Sequence, residues 1–135
     1  MSRKTSYIVA FVLLAVTLLS FVYCGAVSEP DSVKDFLEGY GWQCEALPIE
    51  KEEIIIPNPF DEVYKNYNNI QLEAGLNLEP YSGEKCTRYT YIITNYPKKT
   101  EEEVRANVIV CKGKCIGGDI CTVSLYGFMH SLIYP

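Results

Sequence analysis

The stretch Val104-Arg105-Ala106-Asn107-Val108-Ile109-Val110-Cys111-Lys112-Gly113-Lys114-Cys115-Ile116-Gly117-Gly118-Asp119-Ile120 decides the fold of this chain. Two runs rich in β-branched residues flank Lys112-Gly113, a pair suited to a two-residue hairpin turn, so the stretch predicts adjacent antiparallel strands over 104–111 and 114–120. With that turn, Cys111 faces Lys114 and Cys115 faces Val110. Neighbouring side chains on a strand point to opposite faces, so the two thiols cannot reach each other. Gly117-Gly118-Asp119 predicts a further turn or bulge, with glycines at positive φ and the Asp side chain bonding backbone amides.

Upstream, residues 88–94 alternate and are rich in Tyr, Ile and Thr, and Asn95-Tyr96-Pro97 follows as a turn. Downstream, residues 122–126 read as another strand. Two more are expected before the middle of the chain, at 42–46 and 54–56, joined by a polar turn over 50–53. Helices are expected at two places. Ser28-Glu29-Pro30-Asp31 resembles a capped start, followed by Val33, Phe36, Leu37 and Tyr40 at helical spacing until Gly39 and Gly41. Asn58-Pro59-Phe60-Asp61 predicts the second, with Asn58 as cap and Pro59 in the first turn; Phe60, Val63, Tyr64, Tyr67, Ile70 and Ala74 would form its buried face, ending at Gly75. No strand–helix–strand alternation appears. The expected class is therefore α+β, an antiparallel sheet of about five to six strands packed against two helices.

In front of this domain stand Arg3 and Lys4 and an uncharged, largely apolar run over 7–24. About eighteen residues at about 1.5 Å each give roughly 27 Å of helix, close to the hydrocarbon thickness of a bilayer. The run predicts an N-terminal transmembrane or signal helix, residues 1–28, with a single extracytoplasmic domain over 29–135. An uncleaved anchor is one reading. Cleavage near Ser28, after Ala26-Val27-Ser28, is another, and a lipoprotein modified at Cys24 fits least because bulky Tyr23 precedes it. The positive flank stays inside, so the C-terminal domain is expected outside the cell membrane.

Without residues 1–28 the domain keeps 10 basic against 17 acidic side chains, a formal charge of −7. That charge argues against nucleic acid as a partner and against contact with anionic headgroups through the domain itself; membrane attachment falls to residues 7–24. Cys24 aside, five cysteines remain, Cys44, Cys86, Cys111, Cys115 and Cys121, and an odd number cannot all pair internally. They read as small buried hydrophobes, as one or two disulfides, or as zinc ligands, the last with only His130 to complement an atypical C-x3-C spacing. No metal or cofactor is expected.

Gly41-Trp42, Ile56-Pro57, Tyr64 to Tyr67-Asn68, Tyr81-Ser82-Gly83, Arg88-Tyr89-Thr90-Tyr91, Asn95-Tyr96-Pro97, Ile116-Gly117-Gly118-Asp119 and Gly127-Phe128-Met129, in this order, resemble an uncharacterised family of small exported Firmicutes proteins, a domain of unknown function. The resemblance covers roughly residues 32–132. It implies a Gram-positive cell envelope and supplies no activity.

Two constellations invite a functional reading. Asp119, Cys121 and His130 hold the residue types of a nucleophile, base and orienting acid, but Asp119 and Cys121 share a strand face and His130 lies in an apolar tail, so the set reads as a turn, a core cysteine and a surface histidine. No catalytic residue is assigned. Eleven tyrosines are the second signal. Tyr64, Tyr67, Tyr89 and Tyr91 fit a core, whereas Tyr81, Tyr96, Tyr126 and Tyr134, in or beside turns, offer a binding surface to which Arg88, beside Tyr89, and Asp119 would add charge. The leading expectation is a membrane-tethered, non-catalytic module that binds an envelope protein or a cell-wall component. The alternative is an envelope enzyme or thiol-active protein using Cys121 with His130.

Overall fold

The computed structural model describes residues 29–98 and 100–134. The N-terminal segment, and with it the anchor, cleavage and lipoprotein readings, lies outside the described residues. Among the described residues no helix is long and apolar enough to cross a membrane. They form an α+β domain: helix α1 (Glu29–Gly39), strand β1 (Glu50–Ile55), helix α2 (Glu62–Glu73), a 3-10 turn at Glu79–Tyr81, then β2 (Lys85–Ile92), β3 (Arg105–Cys111), β4 (Lys114–Cys121) and the two-residue β5 (Met129–His130). The five strands follow chain order in one antiparallel meander, with α2 carried in the long β1–β2 connection and a two-residue turn joining β3 to β4.

The sheet is covered on both faces. On one face Val33 and Leu37 of α1 join Tyr89, Tyr91, Ala106, Val108, Val110 and Ile120 in the larger core cluster. There the Tyr89 hydroxyl donates to the Glu29 carboxylate and the Tyr91 hydroxyl to the Pro30 carbonyl, fixing the start of α1 on the sheet. On the other face Ile56, Leu78, Cys86, Ile109, Cys111 and Ile116 pack with Phe60, Tyr64 and Tyr67 of the α2 segment. The Lys112-Gly113 turn has positive φ at both residues, 50° and 76°, and pairs Cys111 with Lys114 and Val110 with Cys115, the expected register.

Several elements differ from the expectation, each for a physical reason. Gly117-Gly118-Asp119 is not a turn; it runs through the middle of β4, and neither glycine has positive φ. These glycines answer to close approach: a Cβ on Gly117 would meet Leu78 Cδ2 at 2.7 Å, and one on Gly118 would meet the Asn107 carbonyl oxygen at 2.6 Å. A bulge between Ile109 and Val110 pairs Ile109 with Gly117 and Val110 with Cys115, leaving Ile116 as the extra residue. The polar stretch Glu50-Lys51-Glu52-Glu53 is strand, not turn, because β1 is the solvent-facing edge and its charges find cross-strand partners, Glu52 with Arg88 and Glu53 with Lys85. The strand expected over 42–46 reduces to a single bridge, Cys44 to Ile93. That expected over 122–126 is a loop, and the last strand starts only at Met129.

Helix α2 begins three residues later than Asn58-Pro59 predicted. The Asn58–Pro59 peptide is cis, and Asp61 is the cap, its carboxylate accepting from the Tyr64 amide at 2.8 Å. Its buried residues are Asn68 and Gln71, whereas Val63 is 72% exposed.

Candidate functional site

Two groups of side chains stand out, one at an end of the sheet and one beneath α2. At the end, the meander brings Asn95-Tyr96-Pro97, the β4–β5 loop and the C-terminal residues beside Trp42. Tyr96 stacks on Trp42 with centroids 5.7 Å apart and on Phe128 at 5.3 Å, and Phe128 stacks on His130 at 5.5 Å. Tyr134 meets Tyr96 edge-on at 5.9 Å. Hydrogen bonds lock the stack. Trp42 Nε1 donates to the Leu132 carbonyl at 2.6 Å, and His130 Nδ1 lies 2.6 Å from the Ser131 carbonyl. A carbonyl only accepts, so Nδ1 carries a hydrogen, and Nε2 shares a hydrogen bond with the Tyr96 hydroxyl at 3.0 Å. His130 is thus half-buried and stacked, not the surface histidine expected. A cleft of about 130 Å³ opens beside this stack, lined by Tyr40, Trp42, Pro97 and Tyr134 with Gly41 and Asn95. From the same region the β4–β5 loop carries Val123, Leu125 and Tyr126 into solvent, Leu125 and Tyr126 at 99% exposure each, and Met129 at the start of β5 is half exposed. Phe128, at the foot of that loop, is held at its amide by Thr122 Oγ1, 3.0 Å away.

Beneath α2 the sheet carries a polar cluster inside an otherwise apolar face. The register sets Thr90 opposite Asn107 and Asn107 opposite Asp119. Thr90 donates to Asn107 Oδ1 at 2.7 Å, Asn107 Nδ2 donates to Asp119 Oδ1 at 3.0 Å, and the Tyr67 hydroxyl donates to Asp119 Oδ2. Gln71 Oε1 accepts from the Gly118 amide at 2.7 Å, while its Nε2 is a buried donor with no partner among the described residues. Asp119 is 2% exposed, and that burial pushes its carboxyl above the usual range against the opposing pull of its donors. Burial and the neighbouring carboxylate hold Tyr67 well above the ordinary phenol value. Every donor here is turned inward. The cluster orders strands and helix; it presents no reactive group to solvent.

The six residues offered as a binding surface do not form one: three lie on the α2 face, Tyr96 and Tyr134 meet at the aromatic end, and Tyr126 stands on the exposed loop. Arg88 and Asp119 share the α2 face, where the Arg88 charge acts on Tyr64, Tyr67 and Asp119 while its guanidinium pairs with Glu52. Tyr81 packs half-buried against the cluster on that face. Tyr96 belongs to the aromatic stack, and Tyr126 lies on the loop that leaves it. Alternation also separates Arg88 from Tyr89; the cation over the Tyr89 ring is Lys51, 5.6 Å from its centroid. Trp42, Phe128, Tyr67, Asn107, Thr90 and Gln71 were not singled out. The position of a polar Asn between Ala106 and Val108 was the one available signal for the buried cluster.

The Asp119, Cys121 and His130 set does not assemble. Cys121 pairs with Met129 and faces Asn107 Nδ2 at 3.4 Å on the α2 side, whereas His130 pairs with Ile120 and turns to the aromatic stack on the other. Burial and Asp119 push the Cys121 thiol up to about 11, burial pushes Cys115 up to about 11 and Cys86 up to about 12, all away from the thiolate a nucleophile requires. Among the described residues no group of three His, Cys, Asp or Glu side chains is placed to hold a metal ion.

A family described as a domain of unknown function (DUF4830) matches residues 36–120. The match takes in α1 from Phe36, the whole polar cluster and β2 to β4, and ends before the exposed loop. No curated protein and no solved structure matches the chain.

Proposed function

We propose, for a chain that belongs to the DUF4830 family of domains of unknown function, that it is a non-catalytic module tethered by residues 7–24 at the outer face of a Gram-positive membrane, and that it binds an envelope protein. The observation that carries this reading is the β4–β5 loop: Leu125 and Tyr126 are 99% exposed on a loop rooted in a hydrogen-bonded aromatic stack. Isolated apolar side chains on a surface are ordinary. Val123, Leu125 and Tyr126 on one short loop, followed by exposed Met129 at the start of β5 and by Ile133 and Tyr134, concentrate exposed apolar side chains in one stretch of chain, as a protein contact would require. The rigid base lowers the ordering cost of docking. The inward-facing thiols and the separation of Cys121 from His130 weigh against the thiol-enzyme alternative.

A second reading has its own support. The cleft lined by Tyr40, Trp42, Pro97 and Tyr134 suits a stacked sugar ring or extended peptide of the cell wall.

Site-specific photocrosslinking in native membranes separates them. A crosslinker at exposed position 124 is expected to capture one recurrent envelope protein, and Leu125→Ser with Tyr126→Ser to abolish capture while leaving stability within about 0.5 kcal/mol, as for other exposed sites. Retained capture in the double variant would remove this loop from the contact. Binding to purified cell wall that Tyr134→Ala abolishes would instead favour the cleft.

A further inference from the structure

We propose that Cys86 and Cys111 form a specific cross-strand disulfide, a covalent site between β2 and β3 on the face covered by α2. The register is the first ground. Thr87 pairs with Val110, and one step further along the antiparallel ladder sets Cys86 opposite Cys111. The bulge in this sheet lies between β3 and β4, so the β2–β3 register runs without a shift from Ile92–Arg105 to Thr87–Val110.

The second ground is the type of pair. Just beyond that ladder the Ile93 amide donates to the Val104 carbonyl at 2.9 Å, which makes Ile93–Val104 a hydrogen-bonded pair. Hydrogen-bonded and non-hydrogen-bonded pairs alternate along an antiparallel ladder, and Cys86–Cys111 lies seven steps away. It is therefore a non-hydrogen-bonded pair, the kind whose Cα atoms approach to about 4.5 Å and whose side chains lie closest. A disulfide spans Cα separations of about 4.4–6.8 Å, so the backbone needs little adjustment. Both side chains point to the same face and pack in one core cluster, where the Cys86 thiol donates to the Glu84 carbonyl and the Cys111 thiol reaches across to the Lys85 carbonyl, beside Cys86.

Among the described residues the other thiols lack such a partner. Cys115 pairs with Val110 and turns to the opposite face from Cys111, Cys121 pairs with Arg105 at the far end of β3, and Cys44 bridges Ile93 on the far side of β2. The site thus selects one pair among the five described cysteines. Bond formation takes two hydrogens, two protons and two electrons, from the Cys86 and Cys111 thiols; the oxidant is a disulfide, small or on an oxidoreductase, which leaves as two thiols. Because both residues are buried, exchange occurs while the chain folds or opens.

The test uses the full-length chain in detergent micelles. It is refolded from concentrated guanidinium into buffers of graded reduced-to-oxidised glutathione ratio, with a parallel series kept in guanidinium. Free thiols are then trapped with N-ethylmaleimide under denaturing conditions and the chain is digested with trypsin. Cleavage after Lys85, Arg88, Arg105 and Lys112 releases Cys86-Thr87-Arg88 and the peptide 106–112. The expected product is these two peptides joined, lighter by two hydrogens than their sum, persisting under folding conditions at a glutathione ratio roughly 100-fold more reducing than in guanidinium. Cys121→Ala should leave it intact, and Cys111→Ser should remove it without a substitute linkage. Full labelling of both cysteines after refolding in oxidised glutathione would overturn the proposal. So would a ratio no different from that in guanidinium, or linkages spread over several cysteines.

Discussion

Asp119 shows what one buried carboxylate does to a small domain. In the unfolded chain it titrates as an ordinary acid, whereas in the fold burial holds its pKa higher. The native state therefore retains the proton to higher pH than the unfolded state. Asp119 costs the fold nothing at acid pH, and its cost grows as pH rises from the ordinary carboxylate value through the raised one. Asp119→Asn removes the titration. The stability of the natural chain minus that of the variant is thus expected to fall as pH rises above the ordinary carboxylate value of about 4, measured by urea unfolding at each pH. A flat difference would mean that the bonds from Tyr67 and Asn107 fully offset the burial. The residue pair that makes this cluster was hidden by the bulge. Without it, the turn at Lys112-Gly113 would set Asn107 opposite Gly118 and send Asp119 to the other face; the extra residue, Ile116, shifts the alternation by one and delivers Asp119 to Asn107.

Among the elements, those with periodicity and turn chemistry in agreement are the legible ones. The β3–β4 hairpin follows from β-branched runs around a turn that needs positive φ, and α1 follows from Val33 and Leu37 at helical spacing. β1 was misread because an edge strand need not be apolar: its residues face solvent, and Glu52 and Glu53 are held by cross-strand cations. The start of α2 was misread because two cap signals lie three residues apart, and Asp61 reaches the Tyr64 amide. Asp61→Ala is expected to cost about 1 kcal/mol, within the usual range of about 0.5–2 for a lost cap, by urea unfolding. Asn58→Ala tests the alternative cap; a larger loss there than at Asp61 would reassign the helix start.

At the scale of the whole molecule, little of the aromatic end could be read ahead of the structure. Trp42, Tyr96, Phe128, His130 and Tyr134 are spread over most of the domain, and only the meander order brings the segments that carry them to one end of the sheet. Turn-borne tyrosines were visible as a group; their division between the stack, the loop and the α2 face was not, because alternation acts locally and cannot say which end of a strand meets which loop. The Trp42 bond to the Leu132 carbonyl joins the two ends of the domain across 90 residues, and Leu132 itself is fully buried. Leu132→Ala is expected to cost about 2–5 kcal/mol by urea unfolding. Removal of residues 131–135 should cost more, because it also leaves the indole N–H of Trp42 unpaired, a further penalty of about 1–3 kcal/mol. The last few residues thus act as a clasp: the hairpins can pair without them, but the closing of the aromatic end waits on Leu132.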